Sequence, residues 1–440
     1  MKSRAPKMSS MSSAETVADI DELLKQILVR LPALSLLRFK SVSKRWLSLI
    51  SDPDFRLQNP KTSAFFDDSF ISVHLQLQQP GRNPFKALHD SAPDASIFRI
   101  LQSCNGLFLC HIPYAFSKHR KLHPVFVVNP TTNRFRALSP PGVTVSETIL
   151  RNGFVRYGLA FDPSRSPHYK VVCINSYRDG RHEIEIYSSE TGGWKKKQLN
   201  APFFPKPMEF DSRSREGAVY CDGAVHWIRS RANAGLSWGS IRTGDGPWSR
   251  DECDVLHYFN FGEERLGVAP VAPPVPLVVK NIALQEGGTF GGDGIFPTEW
   301  PTLASRYLGE CGGRLCLIET YKHCMTEFDV MEMESDYSGW LVKYNVDLNP
   351  LVAAALRRRI PIAFVILGLV QEDQTYFEVE GTSTDLLLHL PGKVISYNLV
   401  TKTFKTCVKL ARRKLFLGLG DKHNDWEGFA FPYRETLASL

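Results

Sequence analysis

The chain has 440 residues, 43% apolar and 22% charged, an ordinary globular composition that excludes wholesale disorder and allows a sizeable core. Lys and Arg number 53 against 46 Asp and Glu, a net charge of +7. Spread over this length the excess is mild, and it does not make the concentrated basic face of a nucleic-acid binder.

Residues 1–18 are rich in Ser and Met and lack the apolar stretch of a secretory signal, so they read as a disordered tail. The nine cysteines are an odd number, scattered and without a C-x-x-C pair. That predicts free thiols in a reducing compartment rather than a disulfide framework. The most apolar run, Ile360–Val370, is too short to span a bilayer and is predicted to be a buried strand. The expectation is an intracellular protein of the cytoplasm and/or nucleus, with no membrane and no nucleic acid among its partners.

Residues 19–60 form a helical module. Ile20, Leu23, Leu24, Ile27, Leu28 and Leu31 fall on one face of an α-helix. Asp19 is the expected N-cap, with Glu22 three residues on. Pro32 ends the helix, because proline lacks a backbone donor and restricts the residue before it. A second short helix carries Leu34, Leu36, Leu37 and Phe39, and a third carries Val42, Trp46, Leu47 and Ile50 before Asp52-Pro53 stops it. A unit this small cannot bury so many large apolar groups by itself. They pack either on the rest of the chain or on a partner.

Residues 61–440 read as strands. Short β-branched and aromatic runs alternate with Gly, Pro, Asn and Asp. Asn105-Gly106, Asp222-Gly223 and Gly312-Gly313 each open an apolar strand, and each Gly supplies the positive φ of a tight hairpin. A second unit recurs as a strand, a polar turn and an aromatic, ending at Phe135, Trp194, Trp340 and Phe404. These aromatics are predicted to plug the gaps between neighbouring sheets. Such repeated four-stranded units are the sequence signature of propeller blades.

Two insertions, Arg229–Cys253 and Gly267–Ser305, carry aromatics and Arg among Gly and Ser. Trp238, Arg242, Trp248, Phe290, Phe296 and Trp300 are the candidate target-binding residues, because aromatics and Arg on loops are common recognition anchors. The alternative is that they tuck back onto the blades. Cys311, Cys316, His323 and Cys324 match no common zinc spacing, so no metal is expected. Glu183 and Glu185 alternate on one strand face and are expected in solvent. The short basic runs Lys195–Lys197, Arg357–Arg359 and Arg412–Lys414 read as solvated turns. No nucleophile elbow, zinc-protease helix, phosphate loop or dinucleotide fingerprint is present, so no catalytic residue and no cofactor are expected.

Residues 20–46 resemble an F-box, most clearly in Ser41-Val42-Ser43-Lys44-Arg45-Trp46. One departure is Ile20-Asp21, where F-boxes usually open with Leu-Pro. The later residues resemble the F-box-associated, kelch-like β-domain of plant F-box proteins. Ser103-Cys104-Asn105-Gly106-Leu107, Val128-Asn129-Pro130-Thr131-Thr132, Tyr157-Gly158-Leu159-Ala160-Phe161-Asp162-Pro163, Tyr169-Lys170-Val171-Val172 and the terminal Pro432–Leu437 follow the family order.

The resemblance implies a mainly β protein: a small N-terminal three-helix F-box, then a β-propeller-like domain of antiparallel sheets. It implies a C-terminal strand closing the ring near Phe65–Leu77 and, as a guess, six blades. It also implies a Skp-family adaptor as partner, through it a cullin scaffold, and an unknown protein target for ubiquitination. By carry-over, Ile20, Leu23, Leu24, Ile27, Leu28, Leu31, Pro32, Leu36, Leu37, Val42 and Trp46 would bind the adaptor, although some must instead hold the three helices together. The rival readings are an F-box scaffold without ligase output and a propeller enzyme.

Overall fold

The computed structural model describes residues 20–31, 33–52, 55, 62–66, 72–74, 85–91, 98–111, 125–138, 153–177, 182–198, 218–228, 256–269, 303–321, 324–351, 364–372, 383–390, 393–409, 430–438 and 440. Three helices come first: α1 (Asp21–Leu28), α2 (Ala33–Phe39) and α3 (Lys44–Ser51). Asp19 lies outside the described residues, and α1 starts after Ile20, which makes no side-chain cap. Asp21 instead bonds across to α3, where Arg45 approaches its carboxylate at 2.6 Å. Ser43 caps α3, its Oγ accepting from the Trp46 N–H at 3.1 Å. Leu24, Leu28, Leu36, Leu49, Ile50 and Phe55 form a small core under these helices.

The strands follow in chain order. A first sheet joins β1 (Thr62–Phe66) and β2 (Ser72–His74) to the last strand, β23 (Phe431–Arg434), in the order β2-β1-β23. A short helix, α4 (Lys86–Asp90), precedes the second sheet: β3 (Arg99–Cys104), β4 (Leu107–His111), β5 (Val125–Asn129) and β6 (Arg134–Leu138). The third holds β7 (Gly153–Ala160), β8 (Lys170–Tyr177), β9 (His182–Ser188) and β10 (Gly193–Gln198). The fourth holds β11 (Val219–Cys221), β12 (Ala224–Ile228), β13 (Leu256–Asn260) and β14 (Arg265–Ala269). The fifth is β15 (Leu303–Cys311), β16 (Arg314–Tyr321), β17 (Glu327–Met333) and β18 (Trp340–Asp347). The sixth is β19 (Val365–Glu372), β20 (Ser383–Leu390), β21 (Lys393–Asn398) and β22 (Phe404–Lys409).

Every described pairing between these strands is antiparallel. The five four-stranded sheets and the three-stranded closing sheet make a closed propeller ring, because each sheet shares an apolar cluster with the next. Phe66, Phe108 and Tyr433 link the first sheet to the second. Leu107 and Val171 link the second to the third, and Val172 and Trp227 the third to the fourth. Leu256 and Leu317 link the fourth to the fifth, and Ile318 and Leu388 the fifth to the sixth. Phe65, Leu367, Leu387 and Val394 return from the sixth to the first. The C-terminal strand closes the ring as expected, β23 pairing with β1 through Phe65 opposite Pro432. Of the run 360–370 expected as a buried strand, β19 holds the residues from Val365 on, with Ile366, Leu367 and Leu369 buried, while residues 360–363 lie outside the described residues.

β3, β7, β11, β15, β19 and β23 approach one another around a common axis, so they are the innermost strands. At Asn105-Gly106, Asp222-Gly223 and Gly312-Gly313 both central turn residues have positive φ, the two-residue hairpin geometry the sequence predicts. An innermost strand has a strand partner on one side only, so its other edge needs bonds from elsewhere. The end of β3 and the turn after it provide them between the second and third sheets. Gln102 Nε2 donates to Leu159 O at 2.8 Å and its Oε1 accepts from Leu159 N at 2.7 Å. Cys104 Sγ accepts from Phe161 N at 3.3 Å, and Asn105 Nδ2 donates to Phe161 O at 2.8 Å. Cys221 does the same between the fourth and fifth sheets, donating to Gly313 O at 3.4 Å.

Two expectations are corrected. Phe135, Trp194 and Trp340 pack against inter-sheet clusters, but Phe404 is exposed: it opens β22, whose first three residues all face solvent, although β6, β10 and β18 are outermost strands as well. Glu185 is buried, not solvent-facing, since it lies on the face of β9 that also buries Tyr187 against the second sheet. Glu183 stays at the margin and pairs with Lys196 at 3.3 Å.

Candidate functional site

The candidate site is the outward surface of the helical unit. Along α1, the 3.6-residue repeat sends Leu24 and Leu28 into the helical core and leaves Ile20, Leu23 and Ile27 on another stripe. Ile20 is 45% exposed, Leu23 38% and Ile27 48%, against 0% for Leu28. Val42, in the turn after α2, and Leu47 on α3 are also exposed. Trp46 is half-buried and meets Phe39 edge to face, ring centroids 5.2 Å apart, while packing on the helical core. Leu31 is half-buried against that core, Leu36 is inside it, and Leu37 is half-buried. Pro32 lies outside the described residues.

The structure thus separates the helical residues into two groups. Ile20, Leu23, Ile27 and Val42 are available to a partner. Leu24, Leu28 and Leu36 hold the helices together. Leu47 joins the exposed group, and its sequence signal was its place in α3 away from buried Leu49 and Ile50. Lys25 bridges to Asp52 at 3.5 Å, and Arg45 to Asp21, so ion pairs brace α1 on α3 and leave the apolar stripe open.

The helical unit sits on one face of the ring. Ala33, Leu36, Lys40 and Phe55 face Asn105, Phe161, Pro163 and Pro167 across a cavity of about 140 Å³. These ring residues follow the exit ends of β3 and β7. Strand direction alternates within each sheet, so Ile228 and Leu256, which bracket residues 229–255, lie at the opposite face. Ala269 and Leu303, which bracket residues 270–302, lie there too. Candidate residues Trp238, Arg242, Trp248, Phe290, Phe296 and Trp300 fall outside the described residues.

Reactive chemistry is muted in the ring. Burial pushes the Cys104 and Cys221 thiols up to about 12 and Cys311 to about 11, which keeps them protonated and inert. Burial lowers the His226 imidazole to about 4; its Nε2 lies 2.7 Å from Tyr337 Oη and its Nδ1 3.2 Å from Val219 O. Among the described residues, no group of three or more His, Cys, Asp or Glu is placed to hold a metal ion. No described helix is long and apolar enough to cross a membrane.

Comparison with known proteins decides the family. Residues 21–58 match the F-box domain and residues 65–283 the F-box associated beta propeller domain. The F-box protein At5g07610 of Arabidopsis thaliana is 33% identical over 428 residues, covering 90% of this chain and 87% of that protein. The chain belongs to the F-box protein family. Two further Arabidopsis thaliana relatives are similar over shorter spans. The F-box/kelch-repeat protein At3g23880 is 24% identical, covering 53% of this chain and 64% of its own length. The F-box protein At1g20360 is 30% identical, covering 47% and 67%. The helical unit is therefore the F-box, and the ring its associated propeller.

Proposed function

We propose that this F-box protein is the substrate-recognition subunit of an SCF-type ubiquitin ligase. The F-box docks on a Skp-family adaptor and through it on a cullin scaffold, and the propeller binds a protein target. The observation that carries the reading is the exposed stripe Ile20, Leu23 and Ile27 on a module that also matches the F-box domain. Apolar side chains exposed in one stripe favour a helical, apolar partner surface.

The chain performs no bond chemistry in this reading. It raises the effective concentration of target near the charged ubiquitin-conjugating enzyme. The target side is the face opposite the F-box, where the strand ends flanking residues 229–255 and 270–302 lie. Binding there leaves the adaptor and the target unobstructed by each other. Co-purification with adaptor and cullin from cells, with and without Ile27→Asp, tests the assembly. Capture of both by the wild type and of neither by the variant supports it; recovery of neither by the folded wild type contradicts it.

A further inference from the structure

The chain does not end when β23 closes the ring. Residues 435–438 run from the axis beneath the second sheet to the F-box, and their course is set by side chains aimed at their backbone. Asn129, wholly buried, donates from Nδ2 to Thr436 O at 3.4 Å and Ala438 O at 2.8 Å. Thr131 Oγ1 accepts from Thr436 N at 3.0 Å and lies 3.0 Å from Tyr433 Oη. Gly106 makes room: a Cβ there would stand 2.5 Å from Arg434 O and 2.8 Å from the Thr436 side chain. Ala438 and Leu440 pack against the cluster between the second and third sheets.

The same segment reaches into the F-box. Glu435 Oε2 accepts from the Ala33 N–H, the first of α2, at 2.8 Å. α2 has no acidic residue of its own in its first turn, so a propeller carboxylate caps an F-box helix. Leu437 packs against the F-box core. A polar anchor and an apolar anchor, two residues apart, thus grip the helical unit from a segment itself bonded to the ring.

We infer that residues 434–438 are a strut that fixes the F-box on the propeller in one orientation, with Glu435 and Leu437 as the positioning residues. Resting on the ligase reading, the strut sets the direction in which a bound target is presented to the rest of the complex. A flexible tether would leave that direction undefined.

The test is a distance distribution in the full chain. Fluorophores are placed through an unnatural amino acid at exposed Ser48 on α3 and exposed Ser338 in the turn before β18. Single-molecule energy transfer should give one narrow peak for the wild type. Glu435→Ala and Leu437→Asp should each lose the single narrow peak for a broad or shifted one. Glu435→Gln should keep it, because the amide oxygen still accepts from Ala33. Adaptor binding, measured in parallel on every variant, should persist and shows that the F-box remains folded. A narrow, unshifted peak in Glu435→Ala with adaptor binding intact overturns the strut, as does a broad peak in the wild type. Failure of the wild type to bind adaptor would end the ligase reading and leave the distance result standing.

Discussion

The F-box and the propeller solve opposite problems of burial. Among the described residues of the F-box, five large apolar side chains are exposed: Ile20, Leu23, Ile27, Val42 and Leu47. Among the described residues the far larger ring also exposes five, Val268, Leu341, Val342, Val400 and Phe404, which lie on outer strands or in an outer turn. In the ring each sheet covers the face of the next and the last covers the first, so a repeated architecture can be large and still closed. Among the described residues, the three short helices have no such neighbour over Ile20, Leu23 and Ile27. What the F-box exposes is gathered on one small module; what the ring exposes is the unavoidable margin of its blades.

The largest effect should come from the ring's interior. Arg306 and Glu319 form an ion pair between β15 and β16, their side chains only 4% and 3% exposed, and Tyr321 Oη donates to Glu319 at 2.6 Å. Arg306→Leu strands a buried carboxylate and should destabilise the propeller by about 3–5 kcal/mol, read by chemical denaturation followed through propeller fluorescence. Leu28→Ala should cost about 3 kcal/mol, confined to the F-box, because a methylene-rich side chain at the centre of a small core is lost. Hydrogen exchange should show α1–α3 amides losing protection while the β-strands keep theirs. If the strands lose protection equally, the two regions are not separable in the way their cores suggest.

A smaller effect concerns pH. The His226 imidazole is held near 4 in the fold by burial, against an ordinary value of about 6.5, so between those values the unfolded chain binds the extra proton. Stability is therefore full above the ordinary value and falls as pH drops toward 4, by about 2 kcal/mol at pH 5. His226→Gln should flatten that slope in melts compared at pH 7 and pH 5. The loss belongs to the ring, since His226 lies between the fourth and fifth sheets beside Tyr258 and Tyr337.

Much of this division was legible in the residues. The helical period of Ile20–Leu31 and the Gly-bearing turns at 106, 223 and 313 are local signals, and both appear in the fold. The inward or outward sense of each F-box residue was not legible, because Ile27 and Leu28 are equally apolar and only the placement of α3 distinguishes them. Glu185 misled for the same reason: alternation within a strand does not show which face meets another sheet. Phe404 looked like Phe135 in its motif, but Phe135 packs on the cluster between the first and second sheets and Phe404 is exposed. The tail contacts of Glu435 and Leu437 pair residues some 400 positions apart and have no local signature.

The most direct test is the affinity of the full chain for a purified Skp-family adaptor by calorimetry, comparing wild type with Leu23→Asp/Ile27→Asp. Both side chains are exposed, so the fold should be untouched, each change altering stability by no more than about 0.5 kcal/mol. Adaptor affinity should fall at least about a hundredfold, the loss expected when two anchor residues of an interface are removed. Unchanged affinity in a folded double variant would contradict the assignment of this stripe as the docking face.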